Sequence, residues 1–365
     1  MRHQRLKSVV VEGFTSIRSA TLTLRGLNVL VGANGAGKSN FIRALSMLGR
    51  IVDGELGLFV GISGGAGALL NADQAVARRI HLEVQAAAGG YSAELVPAAG
   101  GTLIFNEETV WNDVTVPKGV ASLGRGHRET ALTAPEPVWE SVAAPLVETL
   151  RGCRVFHLHD TSYTAPVKGP TYIADNRSLH SNAGNLAAVM LRMRDGDPTR
   201  YRRIIQAVRL VAPFFRDFVL EPELAVDQVR LRWLQEGSDT VFPADALSDG
   251  TLRFICLVTL LGQAELPGLI ILDEPELGLH PFAIVQLAEM LRSVSRESQV
   301  LLATQSVTLV NQFELDDLVV VERREGSSVF ERPDPERLAD WLADYSLGEL
   351  WEKNVLGGRP RPEHG

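Results

Sequence analysis

Four short stretches concentrate residues that could do chemistry on phosphate. Gly32-Ala-Asn-Gly-Ala-Gly-Lys-Ser39 packs three glycines, a lysine and a hydroxyl into eight residues. Glycines let a backbone curl until its N–H groups point inward at phosphate oxygens. Lys38 can then reach β- and γ-phosphates, and the Ser39 hydroxyl can ligate magnesium. The apolar run Leu269-Ile-Ile-Leu272 ends in Asp273-Glu274-Pro275. Asp273 would hold magnesium through water, and Glu274 would orient and deprotonate an attacking water. A pair of acids after an apolar run is commonly just a helix cap, so the phosphate loop is what gives this pair its meaning. In Leu247-Ser-Asp-Gly-Thr-Leu-Arg253, Ser248 is a good N-cap and Gly250 keeps the first helical turn bare. Gln299-Val-Leu-Leu-Ala-Thr-Gln-Ser306 reads as a strand ending at Gln305, where a polar side chain can sense a γ-phosphate.

These residues need elements to position them. The run 27–31 is a short apolar strand feeding straight into the glycine loop, and Phe41, Ile42, Leu45 and Leu48 follow at helical spacing. Strand, glycine loop, helix is the context of a phosphate site, with the positive end of the helix facing the anion. Residues 269–272 read as a buried parallel strand delivering its carboxylates at the C-terminal edge, where α/β ligands sit. Residues 6–12 and 20–24 alternate like half-buried strands. Residues 80–84, 91–96 and 102–105 read as strands of an antiparallel extension. The stretch 56–70, uncharged and holding five glycines, reads as loop. Residues 135–145 break the chain before a helix expected over 145–150, and 182–218 reads as mostly helical, with Pro198 and Pro213 as boundaries.

Composition bounds the function classes. Apolar residues make up 45% of the 365 and charged residues 22%, an ordinary globular balance. A net charge of -8 argues against a surface coated in positive charge for nucleic acid, while leaving room for a local basic patch. Such a patch would be the run 191–210, with six arginines against Asp195 and Asp197. A solvated helix face is the plainer reading there, since no aromatics interleave with the arginines for base stacking. His157 and His159 alternate with Asp160 nearby, which suits a hydrogen-bond cluster better than a metal site. No apolar run approaches the length of a membrane helix, and the two cysteines lack metal spacing, so a reduced cytoplasmic protein is expected.

The order and spacing of these motifs resemble the ABC ATPase superfamily. Gly32 to Ser39 resembles the Walker A loop and Leu269 to Glu274 the Walker B strand. Leu247 to Arg253 resembles the signature motif, Glu276 to His280 the D-loop, and Gln305 stands at the switch-histidine position. The opening Val11-Glu-Gly-Phe-Thr-Ser-Ile with Asn28-Val-Leu-Val-Gly-Ala-Asn-Gly-Ala-Gly-Lys-Ser-Asn40 is similar to the RecF and SMC branch. More narrowly, Phe156-His-Leu-His-Asp-Thr-Ser162 and Tyr345-Ser-Leu-Gly-Glu-Leu-Trp351 resemble stand-alone bacterial RecF-like AAA-family ATPases, relatives of the OLD ATPase domains without the TOPRIM nuclease domain.

The resemblance implies an α/β P-loop NTPase fold of ABC type: a mixed central sheet with flanking helices, an antiparallel β subdomain and a mainly helical second lobe. Residues 1–154 and 256–365 would form lobe I, and 155–255 lobe II with the signature helix. Asn34, Gly35, Ala36, Gly37, Lys38, Ser39 and Asn40 would bind ATP. Ser39 and Asp273 would hold Mg2+, and Glu274 and Gln305 would serve catalysis. Ser248 and Gly250 would complete the site from a second copy, giving an ATP-driven head-to-tail homodimer. DNA or a separately encoded effector protein stands as the further partner, with no membrane involved. Two departures stand out: Gln305 replaces the more usual histidine, and the glutamine that normally follows the first helix has only Gln74 and Gln85 as candidates. The segment between Ser39 and Leu247 has no sustained heptads and no zinc-hook cysteine pair, unlike SMC and break-repair ATPases.

Overall fold

A computed structural model describes residues 4–72, 78–113, 119–223 and 225–358. The chain divides into two compact units. The first comprises Met1–Val155, Pro267–Ile271 and Ser298–Gly365, and the second Phe156–Leu266 and Leu272–Glu297.

The first unit is built on two six-stranded sheets. In the central one, the strands run in the order Ser327–Glu331, Leu318–Arg324, Leu27–Val31, Gln299–Thr304, Leu269–Asp273, Cys153–Phe156. Leu27–Val31 and Gln299–Thr304 are buried along their whole length, as continuous apolar runs in a covered sheet should be. They pair in parallel with Val31 opposite Thr304, so the phosphate loop and Gln305 leave the sheet side by side. Polar residues inside this sheet are satisfied locally. Asn28 donates to the carbonyls of Arg25 and Val300, and the Gln299 amide mimics a strand partner for Leu6 at 2.7 and 2.8 Å.

The other sheet is antiparallel throughout: Ile17–Thr23, Ser8–Phe14, Ile80–Gln85, Gly89–Ala98, Thr102–Asn112, Gly119–Gly124. The helix Lys38–Val52 buries Phe41, Ile42, Leu45, Met47, Leu48 and Ile51 in the core of this unit. Two expectations give way here. Residues 56–70 form the helices Leu56–Ile62 and Ala66–Leu69 rather than loop. Burial of Leu56, Phe59, Val60, Ala66 and Leu69 outweighs the entropy cost of the glycines, and the Glu129 carboxylate accepts the N–H groups of Leu56 and Gly57. The helix expected over 145–150 begins earlier, at Glu140, with Pro145 inside it. Val142, Ala143, Leu146, Val147 and Leu150 supply a buried stripe that compensates for the missing N–H.

In the second unit, helices Leu186–Gly196, Pro198–Val211, Asp249–Leu261 and Pro281–Val294 join a small sheet ordered Phe215–Val219, Arg232–Gln235, Val241–Pro243. Asp197 caps the second of these helices just before Pro198, which is a helix start readable from sequence. No helix among the described residues is long and apolar enough to cross a membrane.

Candidate functional site

The residues expected to act together occur in both units. Asn34, Gly35, Ala36, Gly37, Lys38, Ser39, Asn40 and Gln305 belong to the first; Ser248, Gly250, Asp273 and Glu274 belong to the second.

The phosphate loop is shaped by glycine where no other residue would fit. Gly35 and Gly37 have φ of 77° and 112°, in the left-handed region. A Cβ at Gly37 would lie 2.0 Å from the Ser328 hydroxyl, and one at Gly32 would lie 2.2 Å from the Val321 carbonyl. Lys38 is 5% exposed and curls back so that Nζ donates to the carbonyls of Gly32 at 2.7 Å and Ala33 at 3.0 Å. The ammonium thus sits inside the loop, satisfied by backbone oxygens that an anion can replace. Ala36 is buried while Asn34, Gly35 and Ser39 are exposed.

Gln305 and Asn34 meet directly. The Gln305 amide nitrogen donates to Asn34 Oδ1 at 2.6 Å, so the end of the switch strand touches the loop. Asn40 is engaged differently from its neighbours: its amide donates to Ser16 Oγ at 2.7 Å, and Ser16 shares a 2.7 Å hydrogen bond with Ser328. Of the two candidate glutamines, Gln74 lies outside the described residues. Gln85 is tied into the antiparallel sheet, donating to Ala86, Gly89 and Asp113 and accepting from Trp111.

In the second unit, the carboxylate Oδ1 of Asp273 is buried with no hydrogen-bond partner among the described residues. A buried carboxylate oxygen without a donor is costly, and a hard divalent cation is the ligand that this chemistry suits. The donor set at Asp273 therefore fits magnesium. Glu274 follows with φ 46°, a left-handed backbone rare for a non-glycine residue, and its carbonyl accepts from Leu277 N–H at 3.1 Å in a tight turn.

Ser248 caps its helix, accepting from Thr251 N–H at 3.2 Å. Gly250 permits close approach of backbone: a Cβ there would stand 2.4 Å from the Gly278 carbonyl. Two residues extend this network beyond the expected set. The Arg253 guanidinium donates to the carbonyls of Leu277 and His159, each at 2.8 Å. His159 Nε2 in turn donates to the Asp273 carbonyl at 2.6 Å, so that nitrogen carries the hydrogen. Both residues stood within recognisable motifs, but neither spacing nor residue type foretold these partners. His157 instead is exposed beyond the strand end, held by its backbone to Ser181.

Over residues 27–77 and 159–311, more than half of the chain, the sequence matches the family described as "AAA domain, putative AbiEii toxin, Type IV TA system". The chain belongs to that family. Among solved structures, it is similar to an SMC head bound to the C-winged helix domain of ScpA, with a TM-score of 0.58 and 15% identity over 92% of this chain and 99% of that one. It is also similar to the Smc head domain with an extended coiled coil bound to the C-terminal domain of ScpA, derived from Pyrococcus furiosus. There the TM-score is 0.56 and the identity 14%, covering 93% of this chain and 99% of that chain. A third, the Smc head domain with a coiled coil and joint from Pyrococcus yayanosii, gives 0.54 and 12% over 93% and 99%. No curated protein matches. The fold is therefore the mixed α/β P-loop fold of SMC head domains.

Proposed function

We propose that this chain binds ATP with Mg2+, hydrolyses it, and pairs head to tail with a second copy while ATP is bound. The observation that carries the reading is the phosphate loop, with left-handed Gly35 and Gly37 and the Lys38 ammonium held among backbone carbonyls. On this reading Lys38 exchanges those carbonyls for the β- and γ-phosphates, and the backbone N–H groups from Gly35 to Asn40 cradle them. Ser39 and Asp273 hold Mg2+, which supplies positive charge to the phosphate oxygens. Glu274 accepts a proton from the attacking water at its carboxylate, and the Gln305 amide orients toward the γ-phosphate. The second copy brings its helix N-terminus at Ser248 and Gly250 to the same phosphate. Leu277, half exposed in the loop that Gly250 approaches, supports coverage of this face by another chain.

Size-exclusion chromatography of Glu274→Gln with and without ATP tests the reading. The variant should bind ATP, fail to hydrolyse it and elute as a dimer only with ATP. A Glu274→Gln protein that stays monomeric with ATP sinks the shared-site mechanism, and hydrolysis at the wild-type rate would mean that the water is activated elsewhere.

Two readings of the work done stand: a clamp on DNA in repair, chromosome maintenance or phage defence, or a slow module that holds or releases a separate effector protein. One observation favours the second. The arginines of the basic run are used for the chain's own carbonyls and carboxylates: Arg192 on Asn176, Arg194 on Leu220, Arg200 on Asp197, Gly262 and Gln263, and Arg209 on Arg216. They act as staples within the second unit; Arg202 also donates to the Pro198 carbonyl at 3.2 Å, and Arg202 and Arg203 are both exposed. A toxin–antitoxin system in the family description also supports a protein partner. If ATP-dependent DNA binding is found at low salt and Arg202→Glu with Arg203→Glu removes it, the clamp is the better reading.

A further inference from the structure

The C-terminal segment of the described chain runs back onto the phosphate loop. Ser346 and Glu349 form a reciprocal capping box that starts the short helix Leu347–Glu352. Asn354, with φ 61°, stops it, and Val355 and Leu356 N–H close onto the Leu350 carbonyl. Residues 355–358 then continue as a strap. The Gly358 carbonyl accepts from the Ala33 N–H at 2.8 Å, inside the phosphate loop itself. On its other side, Gly358 N–H donates to Glu322 Oε1 at 2.5 Å, and the other Glu322 oxygen is held by Arg324.

The strap fits only as a glycine pair. Gly357 and Gly358 have φ of 89° and 88°. A Cβ on Gly357 would stand 2.4 Å from Glu322 Oε1; one on Gly358 would stand 3.3 Å from both Gly32 Cα and Trp351 Nε1. The helix preceding the strap is also anchored beside the switch strand. Gly348 N–H donates to Asn311 Oδ1 at 2.6 Å, and Gly348 packs on Val307, in the short helix Val307–Val310 that Ser306 caps directly after Gln305. One covalent segment therefore links the element following the switch residue to the backbone of Ala33, in parallel with the direct Gln305–Asn34 bond.

We propose that residues 346–358 set the conformation of the phosphate loop, with Glu322 and Gly358 as positioning residues for ATP binding. Glu322 fixes the strap, the strap fixes Ala33, and Ala33 with Gly32 supplies the carbonyls that hold Lys38. The strap touches no reacting atom; it acts by keeping the loop pre-formed before the nucleotide arrives. The consequence for ATP rests on the nucleotide reading above, whereas the contact with Ala33 does not.

Full-length Gly358→Ala, Glu322→Ala and Glu322→Gln separate these points. Hydrogen exchange without nucleotide is read at Ala33 and at the strand Leu27–Val31; ATP affinity is read by calorimetry, and KM and kcat by steady-state hydrolysis. Glu322→Gln keeps an acceptor for Gly358 N–H and should stay within about twofold of wild type in ATP affinity. Gly358→Ala and Glu322→Ala should speed exchange at Ala33 selectively, and weaken ATP binding about three- to tenfold through KM with little change in kcat. If Gly358→Ala does not fold, Glu322→Ala against Glu322→Gln decides the matter. Unchanged exchange at Ala33, or equal acceleration along Leu27–Val31, overturns the proposal, since the strap would then add only general stability. If wild type binds no ATP, the nucleotide reading fails, and the exchange result alone still decides whether the strap sets the loop.

Discussion

Replacing Gly250 by alanine is the perturbation whose size the structure sets most directly. The added Cβ would lie 2.4 Å from the Gly278 carbonyl oxygen, where real Cβ atoms stay beyond 3.0 Å, so helix and loop must part by at least 0.6 Å. The loop has little room to retreat. Gly278 has φ 77°, a Cβ of its own would be 2.7 Å from Arg253 Nη1, and that same nitrogen holds Leu277 at 2.8 Å. Overpacking of this kind costs about 1–3 kcal/mol. Against it stands the better helix propensity of alanine, at most about 1 kcal/mol and less in a first turn. The net expectation is a loss of about 1–2 kcal/mol, or a fall of roughly 2–8 °C in the melting temperature for a unit of this size. Calorimetry of the full chain reads it, with Thr251→Ala as a control in the same turn. A Gly250→Ala protein as stable as wild type, or more so, would falsify the close approach, because helix propensity alone would then govern the position.

Lys38→Ala should lose most ATP affinity, by tenfold or more in calorimetry, since the charge meeting the phosphates is gone; unchanged binding would remove the phosphate-loop assignment. Ser248→Arg should bind ATP normally yet neither dimerise nor hydrolyse, and mixing it with Lys38→Ala should restore part of the activity, because one composite site is then intact. Failure of that rescue, with mixed dimers seen by ultracentrifugation, would mean that the sites fire only together. Burial pushes the thiols of Cys153 and Cys256 up to about 12 from the ordinary 9.0. The unfolded chain therefore releases these protons first, so stability falls as pH rises from about 9, by on the order of 1 kcal/mol per thiol at pH 10. Cys153→Ala should flatten the slope of denaturation midpoint against pH above 9; an unchanged slope refutes the buried-thiol account.

The parts of the fold that could be read from sequence are those encoded within a short run of consecutive residues. The strand, glycine loop and helix over 27–52 are one such unit, and the Ser248 cap with its apolar helix is another. Residues 56–70 were less legible because glycine content is a local signal, whereas the burial that makes them helical comes from distant residues, including the Glu129 carboxylate at the helix start. The basic run misleads in the opposite sense. Its composition reads as a solvated face with room for an external anion, but Arg200 and Arg194 find carbonyls brought near only by folding. Ser328 beside Gly37, and Gly358 beside Ala33, are three hundred residues away from the loop in sequence, so no local pattern announces them.

The network within the second unit has a consequence for how two copies would work together. Glu274 pays for a left-handed backbone at a tight turn, and such strain of about 1–3 kcal/mol persists only where the surroundings over-determine it. Here the carbonyl just before it is held by His159, whose own carbonyl is held by Arg253, and Arg253 also grips Leu277 within the turn. Arg253 stands on the helix that Ser248 begins, and Gly250 presses that helix against Gly278. The segment bearing the proposed base and the segment offered to a second copy are thus one hydrogen-bonded piece. In a head-to-tail pair, the Glu274 and Ser248 of one chain would serve different ATP molecules. A shift of the helix start forced by one nucleotide would then be felt at the turn beside the other, through packed groups rather than through solvent. On that reasoning, the strain released or added by Gly250→Ala should alter hydrolysis at the site served by Glu274 of the same chain, even when that site takes its Ser248 and Gly250 from a wild-type partner.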